Sequence, residues 1–409
     1  TTLQGQTNLV NTVDYTYASG RVKASLVATG TDTTVGGGGN ELAAQFDRYV
    51  NIQNLVGSTH ADTLIGNASN NQLLGGLGND TLVASGGADT LTGGDGSDTV
   101  SFVNADIGVS INLSSTNAQN WGSGHSVLLS SIENLTGSTH ADTLMGDGNA
   151  NVLEGGDGYD TLMGGAGDDT LVGGAGNDSF DGGTGSDTVS YAASTSALVI
   201  DLSYAGNGTS RGTGEAAGDV IGSTVEKVVG SATAANEFWG RSSAEDLTGG
   251  DAADIFHGSD GADTLEGGAG IDTVDYSLSA AISLNLAANG SNAGGMAAGD
   301  VLKNIETFIG SANNDSMTAG DTAVNFKGGA GNDTLTGGNG NDTFDGGAGS
   351  NVMNGGGGND QFFVNTSNGA QTIYGGAGSD TLTLTFQNAS DSLTNMTSNV
   401  HQIENLVLS

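Results

Sequence analysis

A nine-residue period constrains the fold of this chain more than any other feature. Between residues 155 and 190 the sequence reads GGDGYDTLM, GGAGDDTLV, GGAGNDSFD and GGTGSDTVS, so a glycine pair, an aspartate and an apolar residue return at fixed intervals. Self-similarity at a short fixed period is the signature of a repeat architecture, in which each unit stacks on its neighbours. The chain is therefore expected to form a solenoid of short coils.

Each nonapeptide divides into a turn of six residues and a strand of three. The glycines suit a turn whose backbone visits positive φ, where a Cβ would clash. The apolar residue two places after the aspartate should point inward, because side chains alternate between the faces of a strand. Two units make one coil of eighteen residues, which predicts that Asp160 stacks with Asp178 and Asp169 with Asp187. Such coils lie about 4.8 Å apart.

The aspartate at the sixth position of each turn supplies a hard carboxylate oxygen, and the backbone carbonyls of the turn supply more. A Ca²⁺ ion takes roughly six to eight oxygen ligands at about 2.3–2.6 Å, which exceeds what one turn offers. Two stacked turns sharing one ion would meet this requirement. The repeat therefore predicts multiple calcium ions as the cofactor.

The four nonapeptides resemble, position by position, the repeats of the RTX (repeats-in-toxin) β-roll family. This resemblance implies an all-β protein, a right-handed parallel β-roll or β-solenoid that folds on calcium outside the cell after type I secretion. It also implies an extracellular or cell-surface location, in a Gram-negative bacterium.

The repeat occupies four metal blocks, at about residues 57–101, 137–190, 231–275 and 310–383. Longer β-rich inserts cover about residues 1–56, 102–136, 191–230, 276–309 and 384–409. No linker or composition break appears, so residues 1–409 are expected to form one continuous calcium-binding solenoid. The predicted metal ligands are the turn aspartates: Asp62, Asp80, Asp89, Asp98, Asp142, Asp160, Asp169, Asp178, Asp187, Asp254, Asp263, Asp272, Asp315, Asp333, Asp342, Asp360 and Asp380.

Some positions depart from this series. Asn71 and Asn151 replace the aspartate, so a metal half-site is not expected at either. Asp47, Asp219 and Asp300 precede the first, third and fourth blocks, and they either add ligands in the inserts or cap a loop.

The inserts are predicted to contain strands with alternating apolar residues, as in Val109, Ile111 and Leu113. A short closing strand, Ile132-Glu133-Asn134-Leu135, ends the second insert, and Ile403-Glu404-Asn405-Leu406 repeats it at the end of the sequence. The last residues also resemble the apolar tail of an uncleaved secretion signal. The internal copy favours the simpler interpretation, a last strand.

Charge and composition fit a metal-dependent fold. The 409 residues include 73 glycines but no proline or cysteine, and the formal net charge is −38. Such an excess of negative charge destabilises the compact state, and the apolar core of each coil is thin. We therefore expect a disordered chain without calcium and a folded chain with it. The lack of basic patches argues against nucleic acid, and no run of apolar residues is long enough for a transmembrane helix.

No catalytic residues are predicted, and the chain is not expected to be an enzyme. The five histidines never form H-E-x-x-H, so a zinc protease domain is not expected. Residues 208–212 satisfy G-x-S-x-G but lack the strand and helix that give this motif its meaning. His60 and His140 share the string Gly-Ser-Thr-His-Ala-Asp, where a repeated turn position is the simpler interpretation than a metal ligand.

Three functional hypotheses follow. The first is an extracellular structural protein, a calcium-rigidified rod for a surface layer, filament or adhesin. The second is the calcium-binding secretion module of a protease, lipase or alginate epimerase whose catalytic domain lies outside this sequence. The third is a sugar-active enzyme, to which only a few residues point: Trp121, Tyr204, Arg211, Phe238, Trp239 and Arg241. Under the first hypothesis the chain self-associates end to end or laterally, with residues 1–19 and 382–409 as contacts or as caps.

Overall fold

The computed structural model describes residues 2–6, 9–27, 48–122, 124–203, 212–287, 290–365, 367–386 and 399–409. Asp47, Tyr204, Arg211 and most of the G-x-S-x-G string lie outside these ranges. The chain forms two compact units. Unit 1 combines Thr1–Ser190 with Gly218–Val225, and unit 2 combines Tyr191–Ala217 with Glu226–Ser409.

Unit 1 is built from short strands, numbered here in chain order. They are β1 (Thr2–Gln4), β2 (Thr12–Asp14), β3 (Lys23–Ser25), β4 (Arg48–Val50), β5 (Asn54–Val56), β6 (Thr63–Ile65), β7 (Gln72–Leu77), β8 (Thr81–Val83), β9 (Ala88–Asp95), β10 (Thr99–Ser101), β11 (Ser110–Asn112), β12 (Gln119–Gly122), β13 (His125–Ser130), β14 (Asn134–Thr136), β15 (Thr143–Met145), β16 (Val152–Gly158), β17 (Thr161–Ala166), β18 (Thr170–Gly176), β19 (Ser179–Thr184), β20 (Thr188–Ser190) and β22 (Val220–Ile221).

Unit 2 has the same construction. Its strands are β21 (Leu198–Asp201), β23 (Lys227–Val229), β24 (Asn236–Trp239), β25 (Asp246–Gly250), β26 (Ile255–His257), β27 (Thr264–Gly268), β28 (Thr273–Asp275), β29 (Ser283–Asn285), β30 (Val301–Lys303), β31 (Thr307–Ile309), β32 (Ser316–Thr318), β33 (Asn325–Lys327), β34 (Thr334–Thr336), β35 (Thr343–Asp345), β36 (Val352–Gly357), β37 (Gln361–Asn365), β38 (Thr372–Ala377), β39 (Thr381–Thr385), β40 (Asn399–His401) and β41 (Asn405–Leu408). Two single-turn 3-10 helices, Gly214–Ala216 and Gly295–Ala297, belong to it as well.

Most strands of unit 1 stack in parallel, and within the blocks each strand pairs with the second strand after it, whereas β12 and β13 pair antiparallel. One sheet runs in the order β3-β6-β8-β10-β14-β16-β18-β20, a second in the order β11-β15-β17-β19-β22, and a third in the order β12-β13-β9-β7-β5-β2. Within the blocks the register advances by eighteen residues, so Leu64 pairs with Leu82 and Leu162 with Phe180. The middle residue of each such strand is buried, and these residues form the core. The pairing confirms an all-β fold of parallel coils.

In unit 2 the core contains a column of phenylalanines. Its sheets run in the orders β21-β24-β26-β28-β31-β33-β35-β37-β39-β41, β29-β32-β34-β36-β38-β40 and β23-β25-β27-β30. Phe308, Phe326, Phe344 and Phe362 occupy paired positions of successive coils. Their ring centroids are 5.7, 6.2 and 5.0 Å apart along the column. Burying each ring contributes about 1.5–3 kcal/mol, so the column stabilises the stacking of these coils.

The alternating apolar runs of the inserts form coils of the same stacks. Ala24 pairs with Leu64, Ile111 with Leu144, and Leu284 with Met317, each in a parallel register. The last residues form strand β41, paired with β39, as the internal copy of the closing motif predicts. Across the described ranges, no helix has the length and apolar character needed to cross a membrane.

Candidate metal centre

The turn aspartates form a hydrogen-bonded ladder along each edge of the stack. The backbone N–H of Asp142 donates to Asp160 Oδ1 at 2.7 Å, and that of Asp160 donates to Asp178 Oδ1 at 2.9 Å. The other edge repeats the pattern, with Asp169 donating to Asp187 Oδ1 at 2.8 Å. These bonds confirm the predicted stacking. They also show that one carboxylate oxygen of each aspartate is committed to holding two coils in register.

The second carboxylate oxygen is the candidate ligand. In nine of the predicted ligands Oδ2 is buried and accepts no hydrogen bond from the described residues: Asp80, Asp98, Asp160, Asp169, Asp178, Asp272, Asp333, Asp360 and Asp380. All nine side chains are at most 1% exposed. A buried charged oxygen without a partner is costly, so each of these positions requires a compensating group.

A backbone carbonyl faces the same point as the orphaned oxygen. The carbonyl oxygen of Gly173 lies 2.7 Å from the position that a Cβ of Gly155 would occupy, and Asp160 Oδ2 lies closer still. The same arrangement surrounds Gly164, where Gly182 O is at 2.6 Å and Asp169 Oδ2 is again closer. The carboxylate and the carbonyl oxygen therefore lie close together beside the glycine, and two such acceptors repel each other unless a cation contacts both. Hard oxygens of this kind are the ligands that Ca²⁺ prefers.

The glycine pattern of the turns keeps this space open and lets the coils approach. Gly156 has φ 112° and Gly165 has φ 111°, in a region that L side chains rarely adopt. A Cβ on Gly158 would lie 2.6 Å from the carbonyl oxygen of His140 in the preceding coil. A side chain at these positions would therefore separate the turns that carry the facing oxygens.

Burial weakens the acidity of the ladder carboxyls. Desolvation, together with repulsion from neighbouring aspartates, raises the pKa of Asp160 and of Asp169 to about 6. Burial raises the pKa of Asp263 to about 7. A cation at the turn would relieve both effects, since it replaces lost hydration and neutralises adjacent charges.

The first turn of three blocks differs from the interior turns. Asp142 Oδ2 accepts the backbone N–H of Ser138 at 2.5 Å, and Oδ1 accepts the Ser138 hydroxyl at 3.0 Å. The N–H of Val109 also donates to Oδ1, at 2.6 Å. Asp62 and Asp315 are engaged in the same way by Ser58 and Ser311. Both oxygens of these block-opening aspartates therefore have protein donors.

The other predicted ligands lie between these two classes. Four of them accept one donor at Oδ2, from a serine hydroxyl or a glycine N–H: Asp89, Asp254, Asp263 and Asp342. Asp187 is fully buried and holds the ladder bond from Asp169.

The turns with asparagine in place of aspartate contain an amide donor. In the turn of Asn351, the side-chain Nδ2 donates to Gly346 O at 2.8 Å. Nδ2 of Asn71 donates to Gln53 O at 2.7 Å, and Nδ2 of Asn151 donates to Glu133 O at 2.7 Å. An amide carries no negative charge, so these turns offer one anionic ligand fewer than the aspartate turns.

The ladder continues into the inserts through acidic residues outside the nonapeptides. Asp219 Oδ1 accepts the N–H of Asp178 at 2.8 Å, and Asp300 Oδ1 accepts the N–H of Asp263 at 3.0 Å. Asp300 Oδ2 accepts the Tyr276 hydroxyl at 2.6 Å, so both of its oxygens are engaged. The sequence alone does not distinguish whether Asp219 and Asp300 are metal ligands or cap a loop.

Three glutamates of the closing strands, Glu133, Glu306 and Glu404, also take ladder positions and were not among the predicted ligands. The recurring Ile-Glu pair, at 132, 305 and 403, was the available signal.

Side chains alone do not build a metal site here. In the part of the chain that the structure describes, no three His, Cys, Asp or Glu residues converge as a metal-binding group. This agrees with turns that each supply one carboxylate and otherwise offer backbone carbonyls. His60 and His140 are exposed, and the N–H of each bonds the hydroxyl of the serine two residues before it.

The aromatic residues of the sugar-active hypothesis are mostly buried. Phe238 is in the core and stacks on Phe256, and Trp121 is buried against Phe102. Trp239 stacks on His257 with ring centroids 3.6 Å apart.

Comparison with known families identifies the repeat. The RTX calcium-binding nonapeptide repeat matches residues 53–82, 74–102, 136–171, 155–189, 239–274, 327–362 and 365–385. The chain is an RTX-repeat protein.

The matched segments of this RTX-repeat protein fall in all four metal blocks. Repeats of this family bind calcium, which identifies Ca²⁺ as the metal that the facing oxygens suit. The family is a structural calcium-binding repeat of a kind typical of secreted proteins, and the match involves no enzymatic family. A search of curated proteins found no match.

Proposed function

We propose that this RTX-repeat protein is an extracellular structural protein of a surface layer, filament or adhesin, held in its folded form by calcium. The observation that carries the proposal is the pair of oxygens, one carboxylate and one carbonyl, that faces each interior glycine. This pair recurs in both units, at Gly155 in unit 1 and at Gly328 in unit 2. A protein that places the same costly feature in nearly every coil depends on the metal for its architecture.

The nine aspartates with orphaned Oδ2 atoms are the proposed ligands, and a glycine carbonyl oxygen lies close to this atom in five of them: Asp80, Asp160, Asp169, Asp333 and Asp360. Bound calcium would supply positive charge between stacked turns and replace the hydrogen bonds that these oxygens lack. Asp62, Asp142 and Asp315 would act as caps that start a block, because their serines already satisfy both oxygens. The remaining predicted aspartates would bind more weakly, since a protein donor competes for Oδ2.

The chemistry of the described residues supports a structural role over catalysis. The buried turn aspartates lie in ladders whose repeated geometry serves stacking. The cluster of Trp239, His257 and Glu237 is the main departure, with His257 Nε2 at 2.9 Å from Glu237 Oε1. His257 Nδ1 lies 3.7 Å from Asp275 Oδ2, so the imidazole lies between the two carboxylates of this cluster and contacts both.

Surface self-association would use exposed apolar strand residues. On β41, Leu406 is 54% exposed and Leu408 is 57% exposed. Strand β41 is the last strand of its sheet in the described residues, and an unpaired strand edge is a template for another chain.

Electron microscopy tests the structural proposal. The chain is moved from chelator into millimolar calcium and examined by negative stain, beside the double variant L406E/L408E and the control T385E/S409E. Ordered sheets or fibres that the Leu variant loses and the control retains would support self-assembly. Discrete particles of one size would contradict assembly and favour the alternative, a calcium-binding secretion module of a protease, lipase or epimerase. If calcium changes neither the wild type nor the Leu variant, both the structural proposal and the secretion-module alternative are overturned.

A further inference from the structure

We propose that three of the calcium sites, each at the last nonapeptide turn of a metal block, are completed by a glutamate of the following insert. They pair Asp98 with Glu133, Asp272 with Glu306, and Asp380 with Glu404. This inference rests on the proposed calcium-binding function and extends it to the junctions between metal blocks and inserts. At each junction one ligand comes from the last turn of a block and the others come from the closing strand.

The first junction reproduces an interior turn with different residues. Asp98 is fully buried, and no donor in the described ranges bonds its Oδ2. This oxygen and the carbonyl oxygen of Ser131 lie on either side of the point that a Cβ of Gly93 would occupy. In an interior turn, such as that of Gly155, the second oxygen belongs to a glycine eighteen residues downstream. Here Ser131 of the insert supplies it.

The other two junctions show the same pair of oxygens. The point beside Gly267 is flanked by Asn304 O and by Asp272 Oδ2, the latter at 2.5 Å. The point beside Gly375 is flanked by Gln402 O and by Asp380 Oδ2, the latter at 2.6 Å. Asp272 and Asp380 are fully buried, and their Oδ2 atoms lack donors among the described residues. Three independent inserts therefore converge on one arrangement.

A left-handed residue places each carbonyl. Ser131 has φ 49°, Asn304 has φ 50° and Gln402 has φ 53°, and each directly precedes the Ile-Glu pair. Non-glycine residues are uncommon in this region. Such backbone persists where the surrounding structure requires it, and here it turns a carbonyl oxygen toward the buried carboxylate.

The glutamate then occupies the place of the next ladder aspartate. Oε2 of Glu133 accepts the N–H of Asp98 at 2.8 Å, as Asp98 Oδ1 accepts the N–H of Asp80 at 2.8 Å. Oε2 of Glu306 accepts the N–H of Asp272 at 2.9 Å. Each junction therefore places a glutamate carboxylate at the N–H of an aspartate whose own Oδ2 lies near a carbonyl oxygen, and a divalent cation would offset the charge of both carboxylates.

A fourth junction shows what happens when the charges are absent. Asn51 has φ 56° and precedes Ile52-Gln53, so an amide replaces the glutamate. Gln53 Oε1 accepts the N–H of Asn11 at 3.0 Å, and Asn11 Nδ2 donates to Asn51 O at 2.8 Å. The same backbone is thus satisfied by amides in place of carboxylates. The charged junctions lack this donor, which assigns a cation to them.

The test is the triple variant E133Q/E306Q/E404Q of the full chain. Glutamine keeps an oxygen that can accept the aspartate N–H, so the ladder persists while three negative ligands are lost. The control E154Q/E215Q/E237Q removes three charges away from the turns. Bound calcium per chain is counted by equilibrium dialysis across a range of free calcium, and circular dichroism in saturating calcium checks the fold.

We expect the triple variant to bind three ions fewer than the wild type, or to fill them only at calcium concentrations at least about tenfold higher. The control should bind as many ions as the wild type. If the triple variant does not fold, each single variant should lose one ion. If the wild type binds calcium and the variants bind the same number of ions with the same affinity, the proposal of junction sites alone is overturned. A wild type that binds no calcium would overturn the proposed function itself.

Discussion

Asp142 and Asp160 occupy successive steps of one ladder, yet their carboxylates are stabilised in different ways. Asp142 follows Gly137-Ser138, and the serine satisfies both oxygens through its N–H and its hydroxyl. Asp160 follows Gly155-Gly156, and its Oδ2 is buried without a donor among the described residues. The backbone pairing and the ladder bond are the same in both turns. In this pair of turns, Ser138 completes the first turn with protein hydrogen bonds, whereas the second turn requires a cation.

This comparison separates two functions that one aspartate serves. The ladder oxygen Oδ1 sets the register of the coils in every turn. The second oxygen makes a turn metal-dependent only where neither a serine nor a glycine N–H donates to it. Block-opening turns can therefore form with protein hydrogen bonds alone. In the interior turns the buried carboxylate oxygen is uncompensated, and therefore destabilising, unless calcium is bound.

Removal of calcium should have the largest effect. In excess chelator we expect the interior turns to lose their structure, because nine buried oxygens and a net charge of −38 are left uncompensated. Serine-capped turns are too few to hold the coils. Far-UV circular dichroism should show loss of the β signal and its return when calcium is added. A full β signal in chelator would remove the distinction between the two kinds of turn.

Acid should partly replace calcium. The pKa of Asp160 and of Asp169 in the folded chain is about 6, above the ordinary value of 3.8. The folded state therefore binds more protons than the unfolded state between these values, and its stability falls as pH rises through this window. In chelator, lowering the pH from 7.5 to 5 should restore β structure measured by circular dichroism. In calcium the same step should weaken metal binding, because the cation requires the carboxylate. A chelated chain that loses β structure on acidification would contradict the raised pKa values.

The matched pair D160N and D142N tests the comparison directly. With calcium at 100 times its dissociation constant, loss of one site lowers the free energy of unfolding by about 2.7 kcal/mol. We therefore expect D160N to be destabilised by about this amount in calcium. In chelator, with an osmolyte added to keep the chain folded, we expect no such loss. D142N should lose about 1–3 kcal/mol in both conditions, because it weakens protein hydrogen bonds. Urea unfolding with and without calcium measures both. Equal calcium dependence of the two variants would show that the opening turn binds metal too.

Removal of the cap alone should have the smallest effect. S138A deletes the hydroxyl that donates to Asp142 Oδ1 at 3.0 Å and keeps the backbone N–H at Oδ2. We expect a loss of about 1 kcal/mol in urea unfolding and an unchanged number of bound ions by equilibrium dialysis. An extra ion in S138A would mean that the serine hydroxyl excludes metal from the opening turn.

The sequence predicted the repeat geometry because that geometry follows from the period. A step of nine with alternating faces requires Asp160 beside Asp178 and Leu162 beside Phe180, as observed. It did not predict which carboxylate oxygens are satisfied. That depends on donors such as Ser138 or the Tyr276 hydroxyl, which reaches Asp300 over 24 residues.

The sequence did not predict the junction glutamates as members of the ladder, for a related reason. Glu133 follows its ladder partner Asp98 by 35 residues, whereas the regular step between ladder aspartates is 18. The insert hides the relation because its length is not a multiple of the repeat. Recurrence of the Ile-Glu pair marked these strands, but only the positive φ of Ser131 shows how the chain re-enters the ladder.

The ladder bonds also give the stack a polarity. At each step the N–H belongs to the earlier coil and the carboxylate to the later one, as from Asp142 to Asp160 and on to Asp178. A cut on the carboxyl-terminal side of a coil therefore leaves a buried donor without its acceptor, which costs about 1–3 kcal/mol. A cut on the other side leaves a carboxylate oxygen that water or metal can satisfy. Each coil is thus finished only when its successor is in place, and the two ends of the stack are not equivalent places to begin or to stop.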